Sequence, residues 1–164
     1  MKTNSKRISI IVIFAALYAV GVIFLAPISY SFFQVRLADA LLPLSIIFGV
    51  PSAIGLSLGC LVSNVYGGLG LVDILGGTVA NFVACALAWY IAKKSGFRRR
   101  LIGSIIQTLV ITGIVGGYLW IIFEVPAEFS LAGVFVGSVI SINLLGFTIQ
   151  EIMRRNSAIS DYAE

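Results

Sequence analysis

Residues 8–26 read ISIIVIFAALYAVGVIFLA and contain no charged side chain. A run of this length is close to the ~20 apolar residues that an α-helix needs to cross a bilayer. The apolar residues follow one another without alternating, which favours a helix over a strand of a membrane barrel. Basic residues precede the run, but Pro27 follows it directly where a signal peptide would be cleaved, so we expect this segment to be retained.

The composition of the rest of the chain agrees with this first segment. Of the 164 residues, 59% are hydrophobic and only 11% are charged, whereas soluble domains keep about a quarter of their residues charged. The length suits one domain and leaves no soluble extension for a catalytic or nucleotide-binding unit. The sequence therefore predicts a single integral membrane domain over residues 1–164.

Glycine, proline and charged residues divide the chain into six apolar segments. Four of them approach or exceed the length of a membrane span, and the second and third are shorter, which predicts tilted, broken or partly sunken helices. The predicted fold is an all-α bundle of six transmembrane helices. The segments are Ile8–Ala26, Val35–Phe48, Ser52–Tyr66, Leu71–Ala92, Leu101–Phe123 and Phe129–Met153.

The basic residues predict the orientation of this bundle. Six spans place both termini on one side, and that side receives ten of the 11 basic residues, with Arg36 as the exception. Cytoplasmic loops of membrane proteins are enriched in lysine and arginine, so we expect both termini in the cytoplasm of a multi-pass protein of the cell membrane. The basic stretch 93–100, KKSGFRRR, is interpreted as a topology anchor that meets anionic lipid, in preference to a nucleic-acid site.

Several chemistries lack the residues they need. The chain has no histidine and two isolated cysteines, Cys60 and Cys85, so we expect no metal site and no cofactor. It also has no phosphate-binding loop of the G-x-x-x-x-G-K-[ST] type. The cysteines are expected to be small core residues, joined by a disulfide only if their helix faces meet.

Polar residues gather near the predicted outer ends of segments two to five. Asn64 and Asp73 flank a short glycine-rich turn, so their side chains can approach one cavity. Charged groups inside membrane domains usually face protein or water, which predicts a pocket open to the outside. The candidates for its lining are Arg36, Asp39, Asn64, Asp73, Glu124 and Tyr66, with Gln34 and Asn143 at the same level.

The same polar and aromatic residues also have structural interpretations that involve no pocket. Arg36 and Asp39, spaced i and i+3, can simply pair with each other, and Glu128 is expected to be solvated. Aromatic residues at this level either stack on a planar ligand or form an interfacial belt. They are Tyr30, Phe32, Phe33, Tyr66, Tyr118 and Trp120.

Residues 33–84 resemble one family closely. Its motifs stand here as RLADAL from Arg36, then Leu42-Pro43, GLSLGC from Gly55 followed by Asn64, and DILGGT from Asp73. In these motifs the chain is similar to the QueT family of substrate-binding S components of energy-coupling factor (ECF) transporters. Asp39 departs from the family pattern, which has glutamate there, so the acid is one methylene shorter.

The resemblance implies import of a queuosine precursor, which is a deazaguanine base. One carboxylate can accept two N–H groups from a guanine-like edge, and an amide such as that of Asn64 can pair with the carbonyl side. A second carboxylate would neutralise an aminomethyl cation. Asp73 and Asp39 are the candidates for these two roles, with Glu124 in reserve. Arg36 either holds the acids in place or binds the ligand carbonyl.

The resemblance also implies partners and a docking surface. S components hydrolyse no ATP themselves and associate with a transmembrane coupling subunit and two cytoplasmic ATPases. In the family, the face of the first helix that carries Ala15 and Ala19 meets the coupling subunit, and the S component topples in the membrane to deliver its ligand. Small residues four apart permit such close helix contact.

Similar spacings recur along the chain and are of low specificity. They are Gly55/Gly59, Ala84/Ala88, Gly113/Gly117 and Gly133/Gly137. Three other functions remain open on the residues alone. They are an S component for another vitamin or base, an intramembrane enzyme that uses Asp39 and Asp73 as an acid–base pair, and a scaffold whose polar groups only join helices.

Overall fold

The computed structural model describes residues 2–29, 36–93 and 96–155, which form helices joined by short turns. No strand occurs in those ranges. The helices are α1 (Lys2–Phe24), α2 (Ala26–Ser29), a 3-10 helix (Leu37–Leu44), α3 (Ser45–Gly67), α4 (Leu71–Ala92), α5 (Phe97–Ile111), α6 (Gly117–Phe123), α7 (Ala127–Ser138) and α8 (Phe147–Arg154). Two π-helical segments, Thr112–Gly116 and Val139–Gly146, join α5 to α6 and α7 to α8.

Five helical stretches in the described ranges are long and apolar enough to cross a membrane. They are Asn4–Phe24, Leu37–Gly67, Leu71–Ala92, Phe97–Phe123 and Ala127–Arg154. Large apolar side chains such as Phe24, Val20 and Leu71 are exposed on the outside of the bundle, as expected where the surroundings are lipid. The prediction of an all-helical, multi-pass membrane protein is therefore confirmed.

The second of these stretches turns back on itself at Gly49. That residue has φ 68° and ψ −154°, a conformation that favours glycine, and Pro51 follows. Arg36 Nη1 lies 3.7 Å from Cys60 Sγ, whereas one straight helix would place these residues roughly 36 Å apart. The second and third predicted segments therefore pass along the bundle in opposite directions, but they meet at a kink with no loop between them.

The close packing of α1 against α3 gives independent evidence for the reversal at Gly49. Gly55 packs against Ile11 and Phe14, and Gly59 packs against Ala15 and Tyr18. Both contact positions advance along the chain together, so α1 and α3 are parallel. Two helices of a bundle can be parallel only if the chain between them returns in the opposite direction. Residues 37–48 form this returning pass between α1 and α3.

The basic residues collect at one end of the bundle, called here the basic end. Gly103 of α5 packs beside Ala88 and Ala92 near the end of α4, so these two helices are antiparallel. Arg100 near the start of α5 forms an ion pair with Glu151 of α8. The basic residues of the described ranges at this end are Lys2, Lys6, Arg7, Lys93, Arg98, Arg99, Arg100, Arg154 and Arg155. Arg36 lies toward the other end, as the sequence predicts, together with Asp39 and Asp73.

Candidate functional site

Asp39 lies in the first turn of the 3-10 helix and is held by a tyrosine from α1. The Tyr18 hydroxyl donates a hydrogen bond of 2.6 Å to Asp39 Oδ1. Tyr18 belongs to the buried stripe of α1 with Phe14 and Val22, because residues four apart share one face of a helix. The hydroxyl is thus carried into the bundle, where it meets a carboxylate that is only 4% exposed.

Asp73 has a parallel arrangement at the start of α4. The Tyr118 hydroxyl donates to Asp73 Oδ1 over 2.8 Å, and Arg36 Nη2 lies 3.6 Å from the same oxygen. Asn64 Nδ2 donates to the backbone carbonyl of Asp73 over 2.8 Å. Asp73 lies in the first turn of α4, where the helix dipole favours a negative charge. Asp73 itself is completely buried.

Together these contacts form what is called here the buried polar cluster. Its members come from α1, the 3-10 helix, α3, α4 and α6. They are Tyr18, Arg36, Asp39, Cys60, Asn64, Asp73, Asn81 and Tyr118. Burial of two carboxylates costs several kcal/mol for each ion unless charge and hydrogen bonds compensate it, so a cluster of this kind is a functional-site candidate in a membrane protein.

The carboxylate and amide side chains of the cluster include buried atoms that have no hydrogen-bond partner among the described residues. They are Asp73 Oδ2, Asn64 Oδ1 and Asn81 Nδ2. Buried polar atoms are nearly always hydrogen-bonded in folded proteins. Two acceptors and one donor are therefore available to a group that carries the complementary pattern.

A small cavity of about 10 Å³ lies inside the cluster. Its polar side is formed by Arg36, Asp39 and Asn81, and its other wall by Ile111, Val115, Val134 and Ser138. This volume is room for about one water. Part of the expected polar lining, Arg36 and Asp39, thus borders a cavity that is small in this conformation.

The apolar wall of this cavity lies against the two π-helical segments. Ile111 immediately precedes Thr112–Gly116, which contains Val115, and Ser138 immediately precedes Val139–Gly146. Departures from regular α-helix of this kind often occur at functional sites. The wall contributed by the last two long helices therefore departs from regular α-helix at both segments.

Other predicted site residues do not join the cluster in the described conformation. Tyr66 is 65% exposed, and Glu124 is exposed at the C-terminal cap of α6 with φ 53°. Asn143 instead accepts from Thr108 Oγ1 over 2.6 Å and donates to Ser104 Oγ over 3.1 Å. Tyr30, Phe32, Phe33 and Gln34 lie outside the described residues.

The predicted docking residues on α1 lie at the border of its contact with α3. Ala15 and Ala19 are half-buried, and the Ala15 carbonyl packs on Gly59. The outward face beside them carries Leu17 and Val20. The same small-residue spacing thus serves the packing inside the bundle and remains partly accessible outside it.

The sequence did not indicate Tyr18 and Asn81 as site residues, and it indicated Tyr118 only as an aromatic residue that stacks on a ligand or belongs to an interfacial belt. Asn81 lies eight residues after Asp73, which places both on the same face of α4. Tyr18 lies between Ala15 and Ala19, the two alanines predicted to form the docking surface. The spacing was a usable signal for Asn81, whereas nothing local showed that Tyr18 points inward.

Within the described ranges, no group of three or more Cys, Asp or Glu residues is arranged to hold a metal ion. Both cysteines are buried and free. Cys85 Sγ lies 3.9 Å from the carbonyl oxygen of Leu42, and Cys60 lies beside Arg36. Their role as small core residues agrees with the expectation.

Comparison with known proteins gives one informative result. A protein-family model described as QueT transporter matches residues 8–155, which include α1 from Ile8 onward and every later described element to α8. No curated protein and no solved structure matches the chain.

Proposed function

The chain belongs to the QueT transporter family, and from this premise we propose that it is the substrate-binding S component of an ECF importer in the cell membrane. The proposed cargo is a queuosine precursor, a deazaguanine base. The basic end faces the cytoplasm in this proposal because lysine and arginine favour that side. The partners are the transmembrane coupling subunit and two ATPases.

The observation that carries the proposal is the set of unpartnered atoms beside two buried carboxylates. Asp73 Oδ2 and Asn64 Oδ1 are acceptors that suit the ring N–H and exocyclic amine of a guanine-like edge. Asn81 Nδ2 is a donor that suits the carbonyl oxygen of the same base. A network that only joined helices would gain stability by satisfying these atoms internally.

The remaining charges have separate roles in the proposal. Asp39 neutralises a cationic substituent such as an aminomethyl group. Arg36 holds the Asp73 side chain in place through their 3.6 Å contact. Glu124 and Tyr66 stay predicted ligand contacts, which the cluster would have to reach by a change of conformation.

Ligand binding requires the cluster to open. The cavity holds about one water, whereas pockets for small molecules typically enclose about 300–1,000 Å³. The wall beside the π-helical segments is the proposed moving part, because its side chains Ile111, Val115 and Val134 make no polar contacts that must be broken. The tyrosine hydroxyls would then keep the two carboxylates oriented while the wall withdraws.

Native mass spectrometry of the purified chain tests this function. We expect one deazaguanine-type base per chain from cells that make queuosine precursors, and its loss from Asp39→Asn. Glu128→Gln is the matched control, because Glu128 is exposed in the first turn of α7 and outside the cluster.

Other results would replace the proposal. A different vitamin or base bound in stoichiometric amount would make the chain another kind of S component. Conversion of the bound compound would indicate an enzyme. An empty protein whose melting temperature no base raises would favour a scaffold.

A further inference from the structure

An open groove of about 570 Å³ lies between α4 and α5 at the basic end, away from the buried polar cluster. It is lined by Tyr90, Ile91, Lys93, Arg99 and Ile102. Both helices belong to stretches that are long and apolar enough to cross a membrane. The groove therefore lies where the apolar interior of a bilayer gives way to its headgroups.

Positive charge is held at the mouth of this groove. Lys93 Nζ lies 4.6 Å from the ring centre of Trp89 and 5.4 Å from that of Tyr90. These cation–π contacts position the ammonium group beside the two rings.

Arg99 supplies a second positive charge from the first turn of α5. That turn contains no acidic residue. The neighbouring Arg100 forms a bidentate pair with Glu151, with distances of 2.6 and 2.8 Å, so this carboxylate is engaged by Arg100. Among residues 2–29, 36–93 and 96–155, no carboxylate forms an ion pair with Arg99.

The part of the groove nearer the membrane interior is apolar. Ile91 and Ile102 line it, and Ile102 is 48% exposed. An aliphatic chain would cover these side chains, and the exposed Tyr90 also lines the groove. An acidic peptide would match the charges but would leave the isoleucines exposed to lipid.

We propose that this groove is a binding site for one anionic phospholipid. Its phosphate would contact Lys93 and Arg99, and an acyl chain would lie along Ile91 and Ile102. Basic pockets between transmembrane helices bind anionic headgroups in this way. The proposal requires only a membrane-embedded chain, so it stands independently of the proposed cargo.

Native mass spectrometry in detergent, with phosphatidylglycerol and phosphatidylcholine of identical acyl chains, tests this site. We expect the wild-type chain to retain one phosphatidylglycerol in preference to phosphatidylcholine. Lys93→Gln and Arg99→Gln should each reduce this preference about fivefold. Arg98→Gln is the matched control, since it removes the same charge from the same turn without lining the groove.

A fourth variant separates shape from charge. Ile102→Trp keeps every charge but fills the groove, and we expect it to lose the retained lipid while its melting temperature stays within the range of the other variants. It also keeps the proposal testable if a glutamine variant fails to fold.

Several results would overturn the proposal. Equal retention of the two lipids would exclude an anionic site, and an equal loss in Arg98→Gln would indicate diffuse attraction by the whole basic end. Full displacement of the lipid by glycerol phosphate would indicate a site for the free anion. Displacement by an acidic peptide would indicate a protein partner.

Discussion

At the scale of single residues, the two amides Asn81 and Asn143 show the difference between a binding group and a structural one. Asn81 is buried on α4, and Asn143 is half-buried in the π-helical segment Val139–Gly146. Asn143 uses its amide on Thr108 and Ser104, whereas Asn81 Nδ2 finds no partner among the described residues. An unpartnered buried donor costs about 1–3 kcal/mol, so its presence beside a cavity favours a role in binding.

Replacement of each amide by leucine separates these roles. Asn81→Leu should leave the melting temperature unchanged or raise it, because an unpartnered polar group is replaced by an apolar one of similar size. Its affinity for a deazaguanine base should fall about tenfold, because one hydrogen bond to the ligand is lost. Thermal melting and a binding titration on the same samples measure both quantities.

Asn143→Leu is the matched control. It should lower the free energy of unfolding by about 1–3 kcal/mol and leave the affinity unchanged. If Asn81→Leu instead destabilised the protein while binding stayed normal, Asn81 would be a structural residue.

At the scale of helices, identical small-residue spacings have different consequences. A Cβ atom at Gly59 would lie 2.6 Å from the Ala15 carbonyl oxygen, whereas Gly113 and Gly117 have nothing within 4 Å of theirs. The sequence predicted both pairs as contact motifs. Spacing alone shows which residues share a face of a helix, but it does not show whether another helix lies against that face.

Alanine substitutions test the close contact between α1 and α3. Gly59→Ala should lower the free energy of unfolding by about 1–3 kcal/mol, because the two helices must separate to accommodate the new methyl group. Gly113→Ala should leave stability unchanged or slightly increased, since its new methyl group meets no atom. Melting curves in one detergent compare the two, and equal stability of both variants would contradict the parallel packing described here.

At the scale of the whole molecule, the apolar pattern was enough to predict an all-helical, multi-pass membrane protein, and the motifs at Arg36 and Asp73 were enough to predict the family. The reversal of the chain at Gly49 was harder to predict from the sequence. A glycine followed by Pro51 marks a break, but only long-range contacts such as Arg36 with Cys60 show that the chain reverses there. The arrangement of the buried polar cluster was also beyond the sequence, because Tyr18 and Tyr118 reach their carboxylates from other helices.

The outward face of α1 is the proposed docking surface for the coupling subunit. Ala19→Trp should leave binding of the base to the purified protein intact but abolish its uptake by cells, because a bulky residue prevents close approach of another helix. Val79→Trp on the exposed side of α4 is the matched control and should support normal uptake. Uptake of a labelled base measures the effect, and normal transport by Ala19→Trp would exclude this surface.

A binding titration of purified wild-type chain and Asp73→Asn with a deazaguanine base tests the central claim that the buried polar cluster is the ligand site. The wild type should bind one base per chain, and Asp73→Asn should bind about 10–100-fold more weakly, because a charged hydrogen-bond acceptor is worth about 1.5–3 kcal/mol. Glu128→Gln should bind like the wild type. Unchanged affinity in a folded Asp73→Asn protein would contradict the claim.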